Sequence, residues 1–153
     1  MTTIAKSVKV RVPVTTAYNQ WTQFETFPTF MAGVERVTQV TDTLTHWETA
    51  IGGARREFDA EIVEQRPDER VVWHTVRGAP HNGVVFFRRL DDNTTRIDVR
   101  MEYEARSVTE KAGSMLGLIA NRIRGDLDRF KEFIEMRGRE TGGWRGNVPR
   151  PPE

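Results

Sequence analysis

The sequence contains no cysteine among its 153 residues. Disulfide bonds, thiol chemistry and thiolate metal sites are therefore excluded, and the absence is more typical of a cytoplasmic protein than of a secreted one. Long apolar runs are absent too, because the longest, residues 115–120, is far too short to span a membrane. No signal peptide is visible, since the first residues alternate between polar and apolar. We therefore expect a cytoplasmic protein without stable membrane insertion.

The sequence also lacks an excess of charge of either sign. It has 23 Lys and Arg against 22 Asp and Glu, a net charge of +1, with no dense basic block. This balance gives no reason to expect a nucleic-acid partner. A hydrophobic content of 37% and a charged content of 29% are typical of a globular protein, and the length is typical of a single domain.

One long helix is predicted over residues 107–138. Ser107 and Glu110 form an S-x-x-E capping box at its start, and apolar residues then recur at a mean spacing of about 3.7, which is a helical period. Gly138 stands where a left-handed C-terminal cap is expected. Gly113 and Gly117 lie inside the helix and leave two interpretations open. Either a neighbouring element packs on the bare backbone there, or this part of the helix bends to admit a ligand.

The rest of the chain has the period of β-strands. A strand is predicted over residues 4–12, followed after Pro13 by a short helix over residues 14–23 and a second short helix around residues 24–27. The large apolar residues between Trp21 and Met31 indicate a hydrophobic plug or lid. Six hairpin-linked strands then follow, over residues 34–40, 44–51, 55–64, 70–76, 84–90 and 95–105. Consecutive strands before a helix predict an α+β fold with a curved antiparallel sheet of seven strands around the long helix. We expect one domain over residues 1–138 and a flexible or loosely docked tail over residues 139–153.

Several motifs occur in a characteristic order. They are the Val-x-Val-x-Val-Pro-Val segment at 8–14, Tyr-Asn-Gln-Trp-Thr at 18–22, Phe-Pro-Thr-Phe-Met at 27–31, Ile-Gly-Gly at 51–53, Trp73 with Gly-Ala-Pro at 78–80, and Gly-Asp-Leu-Asp-Arg-Phe-Lys at 125–131. In this order the chain resembles the START-related superfamily of helix-grip proteins, labelled polyketide cyclase/dehydrase and lipid transport. The resemblance implies a cavity between sheet and helix for a lipid, quinone or polyketide-like molecule. Some members are carriers or chaperones, and others are aromatase/cyclases.

Alternation along the predicted strands, together with the apolar residues at the helical period of the long helix, indicates which side chains face inward. Val85 and Phe87, rather than their neighbours, are assigned to the inward face, while Leu127, Phe130 and Ile134 are expected to fix the helix to the sheet as core. From the residues alone, the inward side chains either fill one another's space or surround a pocket. The resemblance implies the pocket, so the candidate ligand-binding residues are Trp47, Phe58, Ala60, Ile62, Trp73, Thr75, Phe87, Met101, Tyr103, Met115, Ile119 and Ile123.

No catalytic residue is predicted. Aromatase/cyclase relatives carry a serine, an arginine and a tyrosine at positions that correspond here to Ala60, Ile62 and Val34, all of them apolar. Stabilisation of a developing enolate or alkoxide requires hydrogen-bond donors, which these side chains lack. A non-catalytic carrier is therefore the leading hypothesis. The alternative is a polyketide aromatase/cyclase or dehydrase, in which Tyr103, Thr75 or an arginine near residues 77–83 would act as donor.

The three histidines are not predicted to converge. His46 and His74 lie next to inward tryptophans and are therefore placed on the outer face of the sheet, and His81 is placed in a loop. No spacing typical of a metal site occurs, so neither a metal nor a cofactor is expected. Asp126, at i+4 from Arg122, is predicted to lie on a solvated helix surface. The expected partner is a hydrophobic small molecule, and the protein is expected to be a monomer or homodimer.

Overall fold

The structure of the chain, a computed structural model, describes residues 2–51, 53–78, 81–103 and 110–149. As predicted, a strand and two short helices precede six further strands and a long helix. In chain order the elements are β1 (Thr2–Val10), α1 (Val14–Trp21), a 3₁₀ helix (Phe24–Thr29), β2 (Val34–Gln39), β3 (Leu44–Ile51), β4 (Ala54–Arg66), β5 (Arg70–Arg77), β6 (His81–Asp91), β7 (Thr94–Tyr103) and α2 (Glu110–Arg137).

The seven strands form one antiparallel sheet in the order β1-β7-β6-β5-β4-β3-β2. Consecutive strands from β2 to β7 pair with their neighbours, and β1 closes the other edge against β7. The register of β4 on β5 shifts between Asp59 and Ala60 and again between Ile62 and Glu64. Such bulges bend a strand and increase its twist, which curves the sheet around α2. The predicted helix-grip fold is confirmed.

The second half of α2 lies in the main hydrophobic core. Leu127, Phe130 and Ile134 are almost fully buried and belong to one cluster with residues of α1 and the sheet, as the sequence predicted. Phe130 contacts the rings of Trp21 and Phe30 edge-on, both at centroid distances of 5.2 Å. The helix is therefore held by the sheet on one side and by the segment from α1 to Phe30 on the other. Among the described residues, no helix is both long and apolar enough to cross a membrane.

Both ends of α2 were predicted from capping signals. At its C-terminus, Gly138 has a φ of 72° and its amide donates to the carbonyl oxygen of Ile134 at 2.9 Å, so the left-handed cap is confirmed. At its N-terminus, the described part of the helix begins at Glu110, whereas residues 107–109 of the predicted capping box lie outside the described residues.

Gly117 is not a close-packing position, because a methyl group added there would meet nothing within 4 Å. Gly117→Ala is therefore expected to raise the free energy of unfolding by about 0.5–1 kcal/mol, because alanine loses less backbone entropy than glycine in a helix. Urea unfolding measures this. Gly138→Ala is the matched control and should lower stability, since Gly138 has positive φ. A loss of stability in Gly117→Ala would contradict the open environment.

The segment after α2 has specific partners on α1 and β4. The amides of Thr141 and Trp144 donate to the side chains of Gln20 and Thr22 at 2.8 and 3.0 Å. The guanidinium of Arg145 donates to both carboxylate oxygens of Asp68. Farther along, the backbones of residues 65 and 148 pair through two N–H···O bonds of 2.9 Å. Composition did not predict these contacts. The domain boundary at residue 138 and the flexibility of the tail stay predictions.

Candidate functional site

A cavity of about 140 Å³ lies between the inner face of the sheet, α2 and the segment from α1 to Met31. Its walls are almost entirely apolar, and six of the eighteen described lining residues are phenylalanine or tryptophan. The described lining residues are Trp21, Phe24, Phe27, Met31, Thr45, Trp47, Phe58, Ala60, Ile62, Val71, Trp73, His81, Val85, Val99, Met101, Ile123, Asp126 and Leu127.

Much of the predicted site faces this cavity. Seven of the predicted ligand-binding residues line it: Trp47, Phe58, Ala60, Ile62, Trp73, Met101 and Ile123. Val85, assigned inward together with Phe87, lines it as well. Tyr103 and Met115 lie in β7 and α2, but their side chains are outside those that the structure describes. That these residues bind a ligand stays a prediction.

Three residues of the predicted site do not line the cavity. Phe87 points inward but packs beneath α1, with ring centroids 5.3 Å from Tyr18 and 6.0 Å from Trp21, so it belongs to the core. The hydroxyl of Thr75 accepts a hydrogen bond from the amide of His81 at 3.1 Å. Ile119 is half-buried on α2, one turn before Ile123. Alternation and helical period predict which face a residue is on, but not where a cavity on that face ends.

One wall of the cavity was not assigned to the site from the sequence. Trp21, Phe24, Phe27 and Met31 come from α1, the 3₁₀ helix and the turn after it. The ring of Phe27 lies edge-on to the rings of Trp21 in α1 and Trp47 in β3, with centroid distances of 5.3 and 5.6 Å. The density of large apolar residues in this segment predicted a plug or lid. The contact between Phe27 and Trp47 makes that segment part of the site.

Thr45 is a polar residue in the wall that sequence reasoning missed. It is buried, donates its hydroxyl to the carbonyl oxygen of Ala60 at 3.1 Å, and accepts the indole N–H of Trp47 at 2.8 Å. Since Thr45 and Trp47 are two residues apart on β3, they share a face, and alternation alone could have identified it. Thr49, on the same face of β3, donates to the carbonyl oxygen of Arg56 and does not line the cavity.

His81 is the clearest correction to the sequence analysis, which placed it in a loop. It is the first residue of β6, where it pairs with Tyr103 of β7, and it is buried in the cavity wall. Its ring lies edge-on to Phe58, with centroids 4.7 Å apart. The indole N–H of Trp73 points at Nδ1 across 3.4 Å, and because indole only donates, Nδ1 is the acceptor. Burial lowers the pKa of His81 to about 4, so its imidazole is neutral at pH 7.

Gly83 is a position of β6 at which a side chain would not fit. It faces Trp73 on β5, and a methyl group on Gly83 would lie only 2.1 Å from the nearest indole carbon. The bare backbone is what lets this tryptophan lie flat in the wall. The predicted strand began only at residue 84, which left Gly83 in the loop before it, but the lack of a side chain at Gly83 serves close packing within the sheet.

Gly83→Ala is expected to lower the free energy of unfolding by about 1–3 kcal/mol, the usual cost of overpacking a buried site. The added methyl displaces the indole of Trp73, so the tryptophan emission spectrum should change as well. Urea unfolding and fluorescence measure the two effects. Gly117→Ala is the matched control, because the same methyl meets open space there. Unchanged stability and emission in Gly83→Ala would contradict the contact.

Asp126 is buried at the edge of the cavity, contrary to the predicted solvated surface. It accepts hydrogen bonds from the amide of Ala32 at 3.1 Å and from the guanidinium of Arg129, and Arg129 also donates Nε–H to the carbonyl oxygen of Phe30 at 2.9 Å. Burial raises the pKa of Asp126, and the neighbouring Arg129 opposes this shift. The pair joins α2 to the segment that carries Met31. Helical spacing could not show this, since the covering segment lies far away in sequence.

A group of potential metal ligands lies on the outer face of β3 and β4. Ligand atoms of His46, Glu48 and Glu57 are within 4.8 Å of one another, and Nδ1 of His46 lies 2.6 Å from a carboxylate oxygen of Asp59. These residues are cross-strand neighbours, as predicted for this solvated face. They could hold a divalent cation, but they lie on the opposite face of the sheet from Thr45, Trp47 and Phe58 of the cavity wall. The expected absence of a metal stays a prediction.

Comparisons with known proteins agree with this architecture. The sequence model of the family described as polyketide cyclase/dehydrase and lipid transport matches residues 10–132. An uncharacterized 17.2 kDa protein of Streptomyces lincolnensis, from the melC2-rnhH intergenic region, is 60% identical over 149 residues, which cover 97% of this chain and 99% of that protein.

Two solved structures are similar in fold. The Zhui aromatase/cyclase from Streptomyces sp. R1128 has a TM-score of 0.78 at 12% identity, with 94% of this chain and 99% of that chain covered. A START superfamily protein from Mycobacterium smegmatis has a TM-score of 0.66 at 14% identity, with 83% and 97% covered. At such identities these similarities establish a shared fold and nothing about the ligand.

Proposed function

Because this chain belongs to the polyketide cyclase/dehydrase and lipid transport family, we propose that it binds a hydrophobic small molecule in the cavity between sheet and α2. We further propose that it acts as a carrier or chaperone and not as a catalyst. The observation that carries the proposal is the composition of the wall. Among the described lining residues, only Thr45, His81 and Asp126 are neither aliphatic residues nor methionine, phenylalanine or tryptophan. Apolar surface of this kind binds ligands by removing them from water.

The polar groups of the wall support a carrier better than an enzyme. The hydroxyl of Thr45 is engaged with Trp47 and Ala60, and the carboxylate of Asp126 with Ala32 and Arg129. His81 has a pKa of about 4, so it is a weak base at pH 7 and a poor match for proton abstraction. The positions at which cyclising relatives carry polar residues include Ala60 and Ile62, which line this cavity as apolar side chains.

The proposal extends to the surroundings of the protein. We expect a cytoplasmic carrier without a nucleic-acid partner, because the sequence has no cysteine and a net charge of only +1. The protein is expected to be a monomer or homodimer, which sedimentation equilibrium would determine.

Native mass spectrometry tests the proposed binding. The protein is incubated with a lipid extract of Streptomyces lincolnensis, the source of the 60% identical relative, and sprayed without denaturation. We expect an additional mass on the wild-type protein. Ala60→Leu fills the cavity and should abolish the added mass, whereas Ala5→Leu, at an exposed position of β1, should keep it. Absence of any added mass, or its retention in Ala60→Leu, would contradict binding in this cavity.

A further inference from the structure

The size of the cavity limits what its described walls can enclose. The cavity has about 140 Å³, and an apolar cavity of roughly 150 Å³ is known to bind benzene. A complete lipid or a multi-ring polyketide would need several times this space, since sites for such ligands usually exceed roughly 300 Å³. The enclosed part of a ligand is therefore about one six-membered ring, either as a whole molecule or as the end of a larger one.

The walls present aromatic rings whose arrangement suits another ring. Trp47 stacks on Phe58 with an interplanar angle of 10° and a centroid distance of 5.7 Å, and Phe27 approaches the same indole edge-on. His81 in turn lies edge-on to Phe58. Edge-to-face contacts of this kind stabilise aromatic pairs beyond the area that they bury. A planar aromatic ligand can therefore make the same stacked and edge-on contacts that the rings of the wall make with one another.

The charges in the wall disfavour an ionic guest. His81 and Asp126 are the titratable groups among the described lining residues. His81 is neutral at pH 7, and the negative charge of Asp126 is balanced by Arg129. No lysine or arginine is among those lining residues, so a carboxylate placed in the cavity would have no cation to compensate its desolvation.

Several hydrogen-bonding groups of the wall are already engaged within the protein. The indole N–H of Trp47 is donated to Thr45 and that of Trp73 points at His81, so both tryptophans present ring carbons to the cavity. The hydroxyl of Thr45 both donates and accepts internally. A hydroxyl group of a ligand would have to compete for these partners, and burying a hydroxyl without a partner is unfavourable.

On these grounds we propose that the enclosed part of the ligand is a single neutral aromatic ring without hydroxyl or carboxylate groups. The proposal rests on the proposed function, because it assumes that the cavity is the binding site. It specifies more than hydrophobicity: carboxylate groups and hydroxylated rings are excluded from the enclosed space. Recognition is by shape, ring contacts and the absence of charge.

Three probes of similar size test the proposal: toluene, phenol and benzoate, each titrated at pH 7. The protein carries Trp144→Phe, which removes the tryptophan that is not among the described lining residues, so emission reports Trp21, Trp47 and Trp73 of the wall. Calorimetry provides the affinities. We expect toluene to bind, phenol to bind at least fivefold more weakly, and benzoate at least a hundredfold more weakly. Ala60→Leu in the same background should lose toluene binding, and Ala5→Leu should retain it.

The outcomes separate this proposal from the proposed function. Benzoate or phenol binding as tightly as toluene would overturn the neutral-ring proposal, and so would toluene binding that persists in Ala60→Leu. If no probe binds but the mass-spectrometry experiment captures a ligand, the ring proposal fails and the carrier function stands. If neither experiment detects a ligand, both fail.

Discussion

Phe130→Ala is expected to lower the free energy of unfolding by about 3–5 kcal/mol, the usual cost of truncating a fully buried phenylalanine. Phe130 has 0% exposure and lies edge-on to both Trp21 and Phe30. Removing its ring leaves a void between α2, α1 and the segment after the 3₁₀ helix, and these elements hold the cavity wall. Since domains are stable by only about 5–15 kcal/mol, the loss should be a large part of the total.

Urea unfolding at pH 7 measures this prediction. Met136→Ala is the matched control, because Met136 is on the same helix and 90% exposed, so its truncation should change stability by no more than about 0.5 kcal/mol. Phe130→Ala behaving like Met136→Ala would show that α2 is not held by this contact. The predicted core stripe on the helix would then be wrong.

Acidification below pH 6.5 is expected to destabilise the protein through His81 by up to about 3 kcal/mol, using roughly 1.4 kcal/mol for each pKa unit. The pKa is 6.5 in the unfolded chain but about 4 in the folded protein, where burial disfavours the imidazolium. Between these values the unfolded state binds a proton that the folded state does not. The effect is therefore absent above pH 6.5, grows as the pH falls and is complete below about pH 4.

Free energies of unfolding at several pH values between 7 and 4 measure this effect. Because all variants have the same carboxylates, differences between their pH profiles report the substituted histidine. His81→Phe should have a shallower pH dependence than the wild type, because its buried ring cannot bind a proton. His74→Phe, at an exposed position on β5, should keep the wild-type dependence. Equal pH dependence in His81→Phe and the wild type would contradict the burial of a neutral His81.

Polar contacts hold in place the segment that contributes Trp21 and Met31 to the cavity wall. Met31 lines the cavity, and α2 makes a hydrogen bond to the residue on either side of it. Asp126 accepts from the amide of Ala32, and Arg129 donates to the carbonyl oxygen of Phe30. The tail adds contacts behind α1, on Gln20 and Thr22, the two residues that flank Trp21 of the wall. The part of the wall that sequence reasoning left unassigned is therefore held to α2 and to the tail by polar contacts.

Local periodicity was sufficient to predict the order of strands and helices and to assign eight of the described lining residues of the cavity to the inner face. A strand places alternate residues on one face, so Trp47, Phe58 and Trp73 were assigned inward correctly from their neighbours alone. The helical period similarly identified Phe130 and Ile134 as core. These assignments needed no knowledge of distant residues, because the geometry of a strand or helix is set by the backbone.

Only the tertiary structure decided which of the inward residues line the cavity and which are packed in the core. Phe87 is core because α1 covers it, and Asp126 is buried because residues 30–32 lie over it. His81 is in a strand and not a loop because β6 pairs with β7 there and Gly83 leaves room for Trp73. In each case the outcome depends on a segment far away in sequence. The sequence by itself determined the faces of the elements, whereas cavity, core and buried charge were determined by the way those faces pack together.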